Sequence, residues 1–63
     1  MEITMRAARV NVGLSQKEAA KALGINKNTL AGYELGKAIP KMDVAKKMSK
    51  LYGVSTDDII FFD

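Results

Sequence analysis

The sequence contains no cysteine and no histidine, and a single proline. Lack of cysteine removes disulfides and thiolate chemistry. With histidine missing as well, the usual zinc ligands and the commonest general base are gone, which suits a reducing compartment. No apolar run approaches the roughly 18 residues of a membrane span, and the amino terminus lacks the basic-then-apolar layout of a signal peptide. Membrane and secretory roles therefore drop out, and a cytoplasmic location is expected. No glycine-rich phosphate loop is present. Asp57 and Asp58 are sequence neighbours that point in different directions on a helix, so no acid–base pair emerges. The chain is not expected to be an enzyme or to need a metal, a cofactor or a small-molecule ligand.

At 63 residues the chain has room for one domain, whose core normally yields only roughly 3 to 5 kcal/mol of net stability. The net charge of +3 hides an asymmetry. Residues 1 to 50 carry all ten Lys and Arg against Glu2, Glu18, Glu34 and Asp43, whereas residues 51 to 63 carry only Asp57, Asp58 and Asp63. A basic body with an acidic end suits a polyanion partner on one face. The row Lys46, Lys47 and Lys50 reads as a solvated face.

Hydrophobic periodicity and caps divide the chain into helices. Thr4 can cap a first helix running to about Val12, with Met5, Ala8 and Val12 as its apolar stripe and Gly13 as its stop. Ser15 stands three residues before Glu18, the spacing of a capping box, and opens a second helix from about Gln16 to Leu23 that Gly24 ends. Asn26 is a good cap for a third helix, from about Lys27 to Leu35, in which Leu30 and Tyr33 share one face. Lys27, Asn28, Ala31 and Gly32 turn away from the core. A loop leads to Pro40, and a fourth helix begins near Pro40 or Lys41. It buries Val44, Ala45, Met48, Leu51 and Tyr52 and stops at Gly53. Ser55 is expected to start a short fifth helix anchored by Ile59, followed by an extended tail at Ile60 to Phe62. The expected fold is all-α, with five helices and no linker or repeat.

The stretch from Leu14 to Gly36 holds the most information. Two short amphipathic helices joined by a tight glycine turn form a helix-turn-helix. Their backbones must approach closely near Ala20, so a small side chain is needed there. Ile25, Leu30 and Tyr33 are expected to lock the second helix of the pair onto the first and fourth helices of the chain. Its opposite face is then presented as a rigid rod able to enter a major groove.

These residues resemble the Cro and CI repressor-type helix-turn-helix family, also called the xenobiotic-response-element family, whose members share a lambda-repressor-like fold. The resemblance spans nearly the whole chain. It is carried by Arg6 and Arg9, Leu14-Ser15-Gln16, Ala20, Gly24, Leu30, Tyr33-Glu34-Leu35-Gly36-Lys37, Pro40 and Leu51-Tyr52-Gly53-Val54-Ser55. The resemblance implies that the first turn of the third helix reads bases, through Lys27, Asn28 and Thr29. Lysine suits guanine O6 and N7, and asparagine suits the donor–acceptor pair of adenine. Gly32 falls where relatives often carry a longer polar residue, which concentrates readout in the first turn unless the bare backbone lets the helix sit deeper. Gln16 matches a family glutamine that holds a phosphate with the help of its helix N-terminus. Lys17, Asn26, Lys37 and Lys41 are further expected phosphate contacts. Arg9 and Glu34 match a pair that bridges the first and third helices, with a phosphate contact also assigned to Arg9.

Phe61 and Phe62 cannot both point inward on an extended tail. One is expected to cap the core beside Ile59 and the other to form a dimer interface, since a lone helix-turn-helix reads few base pairs and relatives pair on half-sites about 34 Å apart. The expected function is a sequence-specific regulator of transcription, a phage-type or bacterial repressor that binds a double-stranded operator as a homodimer. The alternative from another class is a protein-interaction module of the same fold, an antitoxin-like or coactivator-like adaptor, whose binding would depend on Phe61 and Phe62.

Overall fold

A computed structural model describes residues 1–61; the expected interface role of Phe62 lies outside the described residues. The element order is β1 (Ile3–Thr4), α1 (Met5–Asn11), α2 (Gln16–Leu23), α3 (Lys27–Glu34), α4 (Met42–Tyr52) and β2 (Ile59–Ile60). The described residues are thus mostly helical, with four helices among them rather than the expected five. No helix among the described residues is long and apolar enough to cross a membrane.

The starts of α1, α2 and α3 are written in side-chain chemistry, whereas α4 starts at Lys41 without a side-chain cap. Thr4 accepts the Ala7 N–H at 3.1 Å. Ser15 and Glu18 close a reciprocal capping box, at 3.0 Å from Glu18 N–H to the hydroxyl and 2.9 Å from Ser15 N–H to the carboxylate. The bond from the Ser15 N–H, helped by the Ser15 hydroxyl, holds the exposed Glu18 carboxyl below its usual range. The helix α2 ends as Gly24 enters the left-handed region at φ 72°, and the Ile25 N–H reaches back to the Ala20 carbonyl at 3.0 Å. That closure is glycine-dependent because a Cβ disfavours positive φ. Gly24, Ile25 and Asn26 are then the whole turn before α3.

The core is small and close-packed. Leu23, Leu30 and Met48 are its largest fully buried side chains, and four alanines, at 8, 19, 20 and 45, let the helices approach. Ala19 and Ala20 lie where α2 faces its neighbours, as the tight crossing requires. The helix α3 rests mainly on α2 and α1, which both pack on α4, and Leu30 joins Met48 and Tyr52 of α4 in one buried cluster. Val12 departs from its expected place: it caps the end of α1 and is exposed, so the inward face of that helix is Met5, Ala8 and Arg9.

The expected fifth helix is replaced by one turn and a strand. Ser55 does act as a cap, its hydroxyl accepting the Asp57 N–H at 3.2 Å, and the Asp58 N–H reaches the Ser55 carbonyl at 2.9 Å. Helix propagation stops there because the Asp58 carbonyl accepts from the Ile3 N–H at 2.8 Å instead. The strands β1 and β2 pair in parallel, with Ile3 opposite Ile59 and Thr4 opposite Ile60. Ile59 and Ile60 are β-branched and favour that extended state. Ile59 remains the anchor expected of it, 5% exposed, and Phe61 packs half-buried against the core.

Candidate nucleic-acid interface

The outward face of α3 begins at its cap. Asn26 Oδ1 accepts the Asn28 N–H at 2.8 Å, which fixes the first turn while Lys27, Asn28 and Thr29 stand exposed on it. Leu30 is fully buried. With about 3.6 residues per turn, Asn28 and Gly32, two positions to either side of Leu30, fall on the opposite face of the helix. Gly32 has helical backbone and is half-buried, and a glycine inside a helix costs about 1 kcal/mol relative to alanine.

The orientation of α3 is set by a buried polar cluster. Arg9 of α1 grips Glu34 at the end of α3 through two hydrogen bonds, Nε to Oε2 at 2.8 Å and Nη2 to Oε1 at 3.2 Å. Its Nη1 donates to the Leu14 carbonyl at 2.8 Å. Gln16, the first residue of α2, donates from Nε2 to Glu34 Oε1 at 3.0 Å. One carboxylate therefore ties three helices together. Both ionic side chains are almost fully withdrawn from solvent, at 9% and 3% exposed. The hydrogen bond to Glu34 raises the Arg9 pKa above its already high value, so the guanidinium stays charged at any working pH. All three Arg9 nitrogens are engaged inside the fold, and the side chain assigned a phosphate contact stands in the scaffold.

Tyr52 of α4 lies beside this pair. Burial, helped by the Glu34 carboxylate and opposed by Arg9, pushes its hydroxyl up to about 12. That hydroxyl is buried without a hydrogen-bond partner among the described residues. No local spacing in the sequence marks the links of Gln16, Leu14 and Tyr52 to the ion pair, because they cross between elements.

Other basic groups surround α3 in the chain. Lys17 is exposed on the first turn of α2, and Lys37 and Lys41 are exposed in the segment that follows α3. The same segment carries apolar side chains in solvent: Leu35, Ile39 and Met42 are each more than half exposed. Ile39, Pro40, Met42, Ala45 and Phe61 line a shallow groove of about 290 Å³. Phe61 also borders a second depression with Leu35. Phe61, just after β2, thus borders both depressions, whose lining also includes the polar Thr56 and Asp57 in the first and Thr4 and Glu34 in the second.

A family model described as helix-turn-helix matches residues 5–59. The chain belongs to the Cro/CI-type helix-turn-helix family. Among its relatives, the Vibrio cholerae protein named cryptic phage CTXphi transcriptional repressor RstR is 38% identical over 56 residues, 89% of this chain and 50% of the relative. The Bacillus subtilis HTH-type transcriptional regulator ImmR is 43% identical over 56 residues, again 89% of this chain and 44% of the relative. The chain therefore spans about half the length of these two proteins. An uncharacterized HTH-type transcriptional regulator of Archaeoglobus fulgidus is 30% identical over all 63 residues and 90% of its own length. No solved structure matches the chain significantly. In helix-turn-helix terms α2 and α3 are the motif, and α3 occupies the position of its second helix.

Proposed function

We propose that this chain is a sequence-specific double-stranded DNA-binding regulator of transcription, a repressor acting from the cytoplasm as one DNA-binding domain without catalysis. The observation that carries this reading is the outward face of α3: its first turn exposes Lys27, Asn28 and Thr29 while Arg9, Glu34 and Gln16 clamp the other end. A rod held at one end with polar side chains free at the other suits a major groove. Lys27 and Asn28 read base edges, and Thr29 contacts a phosphate or a thymine methyl. Gln16 keeps one amide N–H for a phosphate after donating the other to Glu34, next to the free N–H groups that open α2. Lys17, Lys37 and Lys41 neutralise phosphates, and the Asn26 amide is available for the same backbone. Arg9 acts through Glu34 and Gln16 rather than by direct contact.

Operator binding as a homodimer extends the reading. The exposed apolar side chains of Leu35, Ile39 and Met42, with Phe61 nearby, supply surface for a second copy. The name of one relative, the repressor RstR, supports regulation by occlusion of a promoter. Selection of binding sites from random duplex DNA near physiological salt tests both levels. Enrichment of an inverted repeat with half-sites about one helical turn apart is the expected result. Failure to enrich any sequence would overturn the reading and favour a protein partner.

A further inference from the structure

Four of the five glycines have a reason inside the fold, and Gly32 has none. Gly13, Gly24, Gly36 and Gly53 all adopt positive φ at or just beyond helix ends. Gly32 sits within α3 with ordinary helical backbone, and a Cβ added there would meet nothing within 4 Å. Neither conformation nor packing demands the glycine, which is the poorest helix former after proline. The sequence thus weakens its recognition helix at the position that shares the outward face with Asn28. A cause outside the chain is required.

We infer that Gly32 is a specificity-determining residue at which the bare backbone of α3 lies directly against a base-pair edge in the major groove. This rests on the proposed DNA-reading role and deepens it. Any side chain at position 32 would stand between the helix and the bases and lift Lys27 and Asn28 from their contacts. What fits against a Cα with no polar side chain is an apolar group, and the major-groove edge offers one, the C5 methyl of thymine. The base pair under Gly32 therefore carries thymine, next to the pair read by Asn28.

The test uses the full chain and the site that the wild type selects. Gly32→Ala is expected to unfold at a higher temperature than wild type, to bind that site at least tenfold more weakly and to keep the same salt dependence. Replacing thymine by uracil, which removes only the methyl, at each thymine of the half-site in turn is expected to weaken the wild type at one position and to leave Gly32→Ala unchanged there. Wild-type affinity in Gly32→Ala would overturn the inference while leaving the DNA-reading role standing. So would a lowered unfolding temperature, which would mean that the fold itself needs the glycine, or indifference to every uracil. A wild-type chain that selects no sequence would overturn the DNA-reading role and this inference with it.

Discussion

Glu34 stands on α3 and accepts from Arg9 on α1 and Gln16 on α2, so the cost of losing it is concentrated at one carboxylate. Breaking a buried ion pair by deleting one partner costs about 3 to 5 kcal/mol, comparable to the whole net stability of so small a domain. Glu34→Ala is therefore expected to leave the chain largely unfolded, as read by helical circular dichroism in a urea titration. Arg9→Met combined with Glu34→Leu removes both charges and should recover much of that loss. Tyr52 offers a subtler test. Its folded pKa is raised above the unfolded value of 10.0 to about 12, so its contribution is complete below pH 10 and lost as pH rises through 12. The size of that loss is on the order of 3 kcal/mol, since one pKa unit is about 1.4 kcal/mol. Tyr52→Phe deletes the unpartnered hydroxyl and is expected to match or exceed wild-type stability at neutral pH, because no hydrogen bond is given up. In alkali its unfolding midpoint should move to higher pH, followed by circular dichroism between pH 9 and 12.

Helices announce themselves locally, and strands of two residues do not. The caps Thr4, Ser15 and Asn26 and the stop Gly24 all act as their spacing suggested, because a cap or stop involves groups no more than five residues apart. The segment after Ser55 followed the same local logic for one turn and then left it. Its outcome depended on Ile3, more than fifty residues away, and β1 and β2 are too short to show alternation. The ion pair was legible through family resemblance, whereas its extension to Gln16 was not, since a glutamine at a helix start reads equally well as solvated polarity. Two variants separate these elements. Ser15→Ala should cost about 1 kcal/mol through loss of the α2 cap. Ile3→Pro removes the N–H bonded to the Asp58 carbonyl and should cost about 1 to 3 kcal/mol. Denaturant midpoints for each variant check both values.

Charge organises the molecule as a whole. The lysines at 17, 37 and 41 lie outside the buried cluster and are exposed, and the proposed function has them displace counterions on DNA rather than read sequence. Lys37→Ala is expected to weaken binding to every duplex alike and to reduce the slope of log affinity against log salt by about 0.9. The proposed function gives sequence discrimination instead to the first turn of α3, whose helix the Arg9–Glu34–Gln16 cluster holds in place. The most direct measurement of that division is the affinity of wild type and Lys27→Ala for the selected site and for a scrambled duplex of the same length, at matched salt. Lys27→Ala should lose about 1 to 3 kcal/mol on the selected site and relax the preference at one base pair, with a far smaller loss on the scrambled duplex. An equal loss on both would contradict base reading by α3.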